Sequence, residues 1–484
     1  MKDLNFDKIK TIYFAGIGGI GVSAIAKFML KTNKKIIGSE IVDSEIVEQF
    51  HQLGVKINIG QKYENIKKGV DLLVYSPALP KNHPERKASR DLNIPELSYS
   101  EILGILTKRY DTIAICGTHG KSSTTAMTGY IFEGAKKDPN VIVGSKLKSW
   151  DGNLRMGSSN ILIAEACEWK AHFLEMHPNT IVINNLELDH PDCYKDEQSM
   201  LKTFQKFVNK LTKDNLLILN NDSKLLKNIT TKSKVFTFGI KNKADLMAQN
   251  ITIDDIKKTL SFDLHLRGYP LSKIEMNLPG VINVYNALAS IAVALNYDVS
   301  INDAKKALIA FGGIWRRFDR IGYFAFTKST RKYIPIKNIA NFKFDQNKAL
   351  VISDYGHHPT AILETLKATK ELYKNHRIVL AFQPHEHTRT KVLEKDYIKC
   401  FDLADVLILE EIYTVTGRES KKEIAMISSK DVLQKIQKRN KNIKAFFAKN
   451  NDEVSKLIDE NIKPNDILII MGAGEIYNTT KNLK

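Results

Sequence analysis

The sequence predicts an α/β protein of three domains, each built on a mostly parallel sheet, and three observations carry that prediction. The chain has 484 residues, more than one hydrophobic core absorbs and enough for about three domains at ~150 residues each. Short runs rich in Val, Ile and Leu recur along it, followed by turns and helical stretches, the alternation that builds parallel sheets. Two of those turns, Gly16-Ile17-Gly18-Gly19-Ile20-Gly21 and Gly117-Thr118-His119-Gly120-Lys121-Ser122, carry glycine where strand passes into helix. The expected boundaries are 1–108, 109–313 and 314–484.

The first domain opens with the strand Lys10-Thr11-Ile12-Tyr13-Phe14-Ala15, β-branched and aromatic. Gly16, Gly18 and Gly21 then follow the G-x-G-x-x-G spacing, with Gly19 inside it, and a diphosphate can lie against such bare backbone. The next strand, Lys35-Ile36-Ile37-Gly38-Ser39-Glu40, ends in an acidic residue about 20 positions on, where a ribose hydroxyl would be met. At this point a nicotinamide-dependent dehydrogenase fits as well as any other nucleotide binder. A third strand, Val70 to Tyr75, ends in Ser76-Pro77-Ala78, where Ser76 is either a site residue or a simple turn former.

The central domain begins near Arg109. Thr112-Ile113-Ala114-Ile115-Cys116 reads as a buried strand, broken at Gly117 and followed by a helix from Ser122. Strand, glycine turn and helix aim backbone N–H groups and the positive helix end at one spot, which suits phosphate. Lys121 adds a movable cation, and the Ser122 hydroxyl can complete a magnesium shell on the same phosphates. The ordinary P-loop has four residues between its glycines; here there are two, with Ile115 where the first glycine would stand. Further strands deliver Glu165 and, after Thr180 to Asn184, Asn185 and then Asp189-His190-Pro191-Asp192. Strand C-termini of a parallel sheet open on one edge, so Glu165, Asn185 and His190 are expected at the pocket of Lys121. His190 reads equally as a surface histidine in an acidic turn, since imidazole is an unusual ligand for so hard an ion. Asn283 and Asn286, three apart at a helix start, share a face and could read a base edge, or Asn283 could simply cap the helix.

Gly312-Gly313-Ile314-Trp315-Arg316-Arg317 marks a hinge, with two arginines able to reach phosphate. The third domain carries a strand ending in Asp354, then Tyr355-Gly356-His357-His358-Pro359-Thr360 and a helix. A second strand ends in Gln383-Pro384-His385-Glu386-His387-Thr388-Arg389. The histidine spacing does not match a zinc site.

Composition narrows the class. The apolar share of 43% and charged share of 26% are those of ordinary globular protein. No apolar run nears the ~20 residues of a membrane helix, and the N-terminus lacks the apolar core of a signal peptide. The 4 cysteines are scattered, as expected of a reducing, cytoplasmic setting. The net charge of +18 raises the possibility of a nucleic-acid binder, but lysine is dispersed and no basic stripe interleaves with aromatics. The expectation is an enzyme on small anionic substrates, with no nucleic acid and no membrane.

Taken in order, the two glycine turns, Asp189-His190-Pro191-Asp192, Arg316-Arg317-Phe318, Asp354-Tyr355-Gly356-His357-His358-Pro359-Thr360 and Phe382-Gln383-Pro384-His385 resemble the motif series of the Mur ligases. The resemblance spans nearly the whole chain. It implies a Rossmann-like first domain holding a uridine diphosphate sugar rather than a nicotinamide, a P-loop ATPase-like middle domain and a Rossmann-like third domain. The implied reaction is ATP-driven: L-alanine is joined to the lactyl carboxylate of UDP-N-acetylmuramate through an acyl phosphate, in peptidoglycan precursor synthesis. A relative that attaches another amino acid or a preformed peptide is the alternative, and Phe382-Gln383-Pro384-His385 argues against the peptide. By match to the family pattern, Gly117, Thr118, His119, Gly120, Lys121, Ser122 and Ser123 hold the ATP phosphates. Asn283 and Asn286 meet adenine, Asp354 the ribose, and Arg316 or Arg317 the phosphates. Ser122, Glu165 and His190 position Mg2+, expected as two ions with Mn2+ as a substitute. Gly16, Gly18, Gly19, Gly21, Ser39, Ser76 and Asn185 face the sugar nucleotide, while Tyr355, His357, His385 and Arg389 line the amino-acid pocket. Lys121, Glu165, His190, His357 and Arg389 form the implied catalytic set. A monomer or weak homodimer is expected.

Four departures from the family pattern stand out. Ser122-Ser123 replaces threonines, Glu40 replaces an aspartate, and Ile282 stands where many relatives have histidine. Glu386 and His387 lie where arginine and tyrosine occur in some relatives; an acid there costs carboxylate binding unless it turns outward or pairs with Arg389. The basic stretch between Gly322 and Ala349, including Lys328-Ser329-Thr330-Arg331-Lys332, is expected to be a surface hairpin insertion.

Overall fold

The computed structural model describes residues 6–150, 152–254, 256–328, 330–336, 344–415 and 419–483. The α/β prediction holds, with three sheets, the middle one largely parallel. The chain divides into two compact units. The first comprises Met1–Leu186, Leu201–Phe238 and Ala289–Ala307; the second comprises Glu187–Met200, Gly239–Leu288 and Leu308–Lys484.

In the first unit, β1 (Thr11–Ala15), β2 (Lys35–Glu40), β3 (Lys56–Ile59), β4 (Leu72–Tyr75) and β5 (Glu96–Ser98) form a parallel sheet in the order β3-β2-β1-β4-β5. Central strands of such a sheet are covered on both faces, which is why Ile12, Tyr13, Phe14, Leu72, Leu73 and Val74 form unbroken buried runs. Register places Ala15 beside Ser39 and Tyr75, so the Gly16 turn, Ser39 and Ser76 share one edge.

The same unit holds β6 (Asp111–Cys116), β7 (Asn140–Leu147), β8 (Gly152–Arg155), β9 (Ile161–Glu165), β10 (Thr180–Ile183), β11 (Leu216–Asn220) and β12 (Lys234–Gly239), ordered β12-β11-β10-β6-β9-β7-β8. All neighbouring pairs run parallel except β7 with β8. Ile115 pairs with Glu165 and Cys116 with Ile183, bringing the ends of β9 and β10 level with the second glycine turn. The helix after that turn, Lys121–Gly134, is buried along Ser122 to Gly129 despite its hydroxyls. Thr125 and Thr128 satisfy theirs by donating to the carbonyls of Lys121 and Thr124, and Thr128 also meets Ser290 at 3.1 Å.

In the second unit, β13 (Leu246–Asp254), β14 (Thr259–Leu266) and β15 (Tyr269–Met276) make an antiparallel meander. The last sheet has the order β17-β16-β18-β22-β19-β20-β21, from β16 (Asp319–Phe326), β17 (Arg331–Pro335), β18 (Lys348–Asp354), β19 (Ile378–Phe382), β20 (Val406–Glu410), β21 (Lys444–Ala448) and β22 (Ile467–Met471). It is parallel from β18 onward, while β16 and β17 form an antiparallel hairpin that carries Arg331 and Lys332 of the basic stretch. Ser329 and residues 337–343 of that stretch lie outside the described residues. Apolar clusters cover both faces, and the strand ends carrying Asp354, Phe382 and Met471 open on one edge. Among the described residues no helix is long and apolar enough to cross a membrane, and all four cysteines are free thiols.

Candidate active site

At the first glycine turn, the Gly18 N–H donates to Glu40 Oε2 at 2.8 Å, and a Cβ on Gly18 would sit only 2.7 Å from that oxygen. The turn therefore already holds an anion in the form of a side chain. Ser39 is fully buried and donates to Glu85 Oε2 at 2.7 Å, joining Tyr13 and Asn65, which reach Glu85 Oε1 at 2.8 Å each. Burial pushes the Glu85 carboxyl up, against the pull of these donors. Ser76 accepts from the Ala78 N–H at 3.4 Å and abuts Gly16, so its turn-forming contact and its place at the site edge coexist. Sequence reasoning missed Gln61 and His83, whose side chains meet at 3.1 Å; Gln61 Nε2 lies 3.8 Å from where a Gly16 Cβ would stand. Gln61 Nε2 and His83 Nδ1 are buried and make no hydrogen bond among the described residues. No spacing rule in the sequence singles them out.

The second turn is closed by Asn185. Gly117 has φ +123°, and a Cβ there would lie 2.8 Å from the Asn185 carbonyl oxygen, so only glycine fits. Thr118 N–H donates to that carbonyl at 3.2 Å, His119 N–H to Asn185 Oδ1 at 2.8 Å, and Asn185 Nδ2 to the His119 carbonyl at 3.1 Å. The Asn185 side chain is thus engaged with the phosphate-type loop. Gly120, also left-handed, leads into the helix, where Ser122 and Ser123 are buried at the first turn. Lys121 Nζ donates to the Gly117 carbonyl at 2.7 Å and to Glu168 Oε1 at 2.8 Å. Burial alone would lower the Lys121 ammonium, but Glu168 overrides it and holds the lysine above its usual range. Glu165 Oε2 accepts from the Gly144 N–H at 2.8 Å. The first unit thereby brings together a lysine, two hydroxyls and two carboxylates at the end of β6.

The second unit gathers His190, His357, His385 and Arg389. Arg389 is 3% exposed, and its Nη2 lies 3.1 Å from both Asp189 Oδ1 and His190 Nδ1. Its Nη1 faces His385 Nδ1 at 3.5 Å and Glu386 Oε2 at 3.9 Å. Burial would raise the Asp189 carboxyl, yet Arg389 with the neighbouring histidines holds it well below the usual carboxylate range. His357 is kept neutral by burial and by Arg389; its ring lies 5.9 Å from that of His385, and its carbonyl accepts from the Tyr397 hydroxyl. Glu386 has therefore turned toward Arg389, one of the two outcomes compatible with an acid at this position.

Asp354 accepts from the Gly356 N–H at 2.7 Å and the Phe318 N–H at 2.8 Å, one on each oxygen, while burial raises its carboxyl. Arg316 is buried, its Nη2 donating to the Gly472 carbonyl, whereas Arg317 is half-buried over the Tyr355 ring at 4.8 Å. Of the two arginines, Arg317 is the more open. Asn283 Nδ2 donates to the Pro279 carbonyl at 2.7 Å and Asn286 Nδ2 to Asn283 Oδ1 at 3.2 Å, so the two amides are linked and Asn283 ties down the helix start. Ser122, Glu165 and Lys121 belong to the first unit, and His190, Asp354, Tyr355 and His357 to the second.

This arrangement of a short phosphate-type loop, a buried lysine and oxygen donors in one unit, with an arginine–histidine cluster in the other, can be set beside known proteins. Residues 11–111 match the family model described as Mur ligase family, catalytic domain; residues 115–294 match the Mur ligase middle domain, and 342–474 the Mur ligase, glutamate ligase domain. UDP-N-acetylmuramate–L-alanine ligase of Clostridium tetani is 38% identical over 474 residues, 97% of this chain and 96% of that protein. The protein of the same name from Caldanaerobacter subterraneus is 34% identical, over 98% of this chain and 97% of that one. Among solved structures, UDP-N-acetylmuramate–alanine ligase of Thermotoga maritima matches with TM-score 0.79 and 25% identity, covering 98% of both chains. The murein peptide ligase of Psychrobacter arcticus shares the fold at TM-score 0.70 and 23% identity, again over 98% of both. With relatives this similar aligned along nearly its full length, the chain is an enzyme of the Mur ligase family.

Proposed function

We propose that this enzyme joins L-alanine to the lactyl carboxylate of UDP-N-acetylmuramate at the expense of ATP, releasing ADP and phosphate, in peptidoglycan precursor synthesis. The observation that carries the reading is the short glycine turn closed by Asn185, with Lys121 folded over it and Glu165 at the next strand end. We assign 1–108 to the sugar nucleotide, 109–313 to ATP and 314–484 to the amino acid. The γ-phosphoryl group passes to the carboxylate, giving an acyl phosphate; the alanine amine then attacks, and phosphate leaves. Such chemistry asks for charge neutralisation and alignment rather than for a covalent nucleophile. Lys121 and the loop amides hold phosphate, Asn283, Asn286 and Asp354 the nucleoside, and Arg317 further phosphate oxygen. Tyr355, His357, His385 and Arg389 line the amino-acid pocket.

The donor set fits a divalent ion: the Ser122 hydroxyl and Glu165 carboxylate are hard oxygens suited to Mg2+. His190, the third residue assigned to the ion, has Nδ1 3.1 Å from Arg389 Nη2 and Nε2 3.8 Å from Asp189 Oδ2. When bound, the ion offsets repulsion between phosphate and carboxylate. The reading places the enzyme in the cytoplasm, where ATP and uridine sugar nucleotides are found. The test incubates the protein with ATP, Mg2+ and UDP-N-acetylmuramate and follows phosphate release with single amino acids and with a tripeptide. L-Alanine is expected to be the best acceptor; release driven only by the tripeptide, or by no acceptor, overturns the reading.

A further inference from the structure

We propose that Glu168 is a positioning residue: its carboxylate fixes the Lys121 ammonium at the point of the Gly117 turn where the phosphoryl group is transferred. The inference rests on the assignment of that turn to the phosphates of ATP, and every residue it uses belongs to the first unit. An ammonium has three donors, and those of Lys121 meet three acceptors. They are the Gly117 carbonyl at 2.7 Å, Glu168 Oε1 at 2.8 Å and the Thr118 carbonyl at 3.3 Å. Two of these are neutral carbonyls of the turn that Lys121 itself follows. Glu168 is the charged acceptor and the one brought from another strand end, so it sets where along the turn the ammonium rests.

Burial makes that contact restrictive. The Lys121 side chain is 14% exposed and that of Glu168 0%. A lysine on a flexible four-carbon stem has many rotamers, and a charge-assisted bond to a buried acid narrows them. The backbone around the acid is strained as well: Lys170 and Ala171, neither of them glycine, stand at φ +49° and +57°. Beside them the Ala171 N–H donates to the Glu168 carbonyl at 2.8 Å and the Phe173 N–H to the Cys167 carbonyl at 3.1 Å. At the near end, the Ala166 N–H donates to the Ile115 carbonyl at 2.9 Å, which ties this segment to the strand that ends in the turn. Strain of this kind clusters at functional sites. The neighbouring acid is aimed elsewhere, since Glu165 Oε2 accepts from the Gly144 N–H at 2.8 Å. One carboxylate of this strand end thus serves the lysine, and the other is the one assigned to the ion. A phosphate oxygen that approaches Lys121 replaces its longest bond, the one to Thr118, while Glu168 keeps the ammonium in register. The acid repels bound ATP yet aligns the cation for transfer, so its removal should cost rate and not affinity.

The test measures kcat by steady-state phosphate release, and the affinities for ATP and UDP-N-acetylmuramate by calorimetry. It compares wild type, Glu168→Gln, Glu168→Asp, Lys121→Ala and the double variant Lys121→Ala/Glu168→Gln. Glu168→Gln is expected to lower kcat on the order of 10–100-fold, with both affinities within about twofold of wild type, and Glu168→Asp to recover part of the rate. In the Lys121→Ala background, Glu168→Gln is expected to change kcat no further, because a residue that acts through the lysine has nothing left to place. An unmoved kcat in Glu168→Gln, losses that multiply in the double variant, or a fall in both affinities together with the melting temperature overturns the proposal. Removing one end of a buried ion pair can prevent folding. If Glu168→Gln does not fold, Glu168→Asp decides, since it keeps the charge and withdraws it by one methylene: a lowered kcat with both affinities kept supports the proposal, and a wild-type kcat overturns it. Wild-type protein that does not bind ATP overturns the assignment of the turn and this inference together; normal ATP binding and turnover with an unmoved kcat in Glu168→Gln sinks the inference alone.

Discussion

In the proposed reaction Lys121 stands between two demands. It is bound by the Gly117 carbonyl and by fully buried Glu168, and the proposed reaction asks it to serve phosphate as well. Lys121→Ala is expected to lower kcat by on the order of 10²–10³ or more while leaving the affinity for UDP-N-acetylmuramate within a few-fold, measured by phosphate release and calorimetry. A collapse of sugar-nucleotide affinity would refute the separation of the two nucleotide sites. Glu410 offers a pH test at the same scale. Burial, with Glu475 second, pushes its carboxyl up to about 8 from 4.5, and Glu410 Oε2 makes no hydrogen bond among the described residues. A raised carboxyl keeps its proton in the folded state longer than in the unfolded one. Its cost is absent below about pH 4.5, grows as pH rises and is complete above about pH 8. Glu410→Gln should therefore match wild type near pH 4.5 and be more stable by on the order of 2–4 kcal/mol at pH 9, read from denaturant unfolding across that range.

At the scale of elements, the strand–turn–helix units were legible because each announces itself locally: a β-branched run, a glycine, a helical stretch. β1 with the Gly16 turn and β6 with the Gly117 turn sit where the sequence puts them. The braces around those turns were not legible, since they depend on which strands lie side by side. Asn185 reaches the Gly117 turn because β10 pairs with β6, and Ser39 finds its partner in Glu85, which arrives from a helix 46 positions later. Likewise, Glu386, at φ +65°, donates its N–H to the Tyr413 carbonyl at 2.9 Å, a link that no local pattern encodes. The turn itself gives a sharp prediction. In Gly117→Ala the new methyl meets the Asn185 carbonyl at 2.8 Å, so the loop must open. ATP-dependent turnover should be lost and ATP binding weakened at least ~10-fold, seen by calorimetry, with far-UV circular dichroism preserved.

For the whole molecule, the path of the chain matters more than any one contact. The first unit is assembled from three separate stretches of sequence, a fact that hydrophobic pattern cannot convey. Tyr297, in its last stretch, bonds to Thr180 at 3.0 Å and Asp111 at 3.2 Å, and Ser290 bonds to Thr128. A fragment ending at Leu186 would lack these ties together with β11 and β12. It is expected to melt without a cooperative calorimetric transition, whereas the full chain shows at least one; a sharp transition in the fragment would contradict this.

The Glu40 carboxylate resting on the Gly18 amide has a thermodynamic consequence of its own. A diphosphate oxygen that takes this amide does not form a hydrogen bond from nothing: it exchanges places with a glutamate that returns to water. The heat of sugar-nucleotide binding should then be modest for the number of polar contacts made, and removing the glutamate's charge should make that heat more exothermic, because the evicted partner no longer competes.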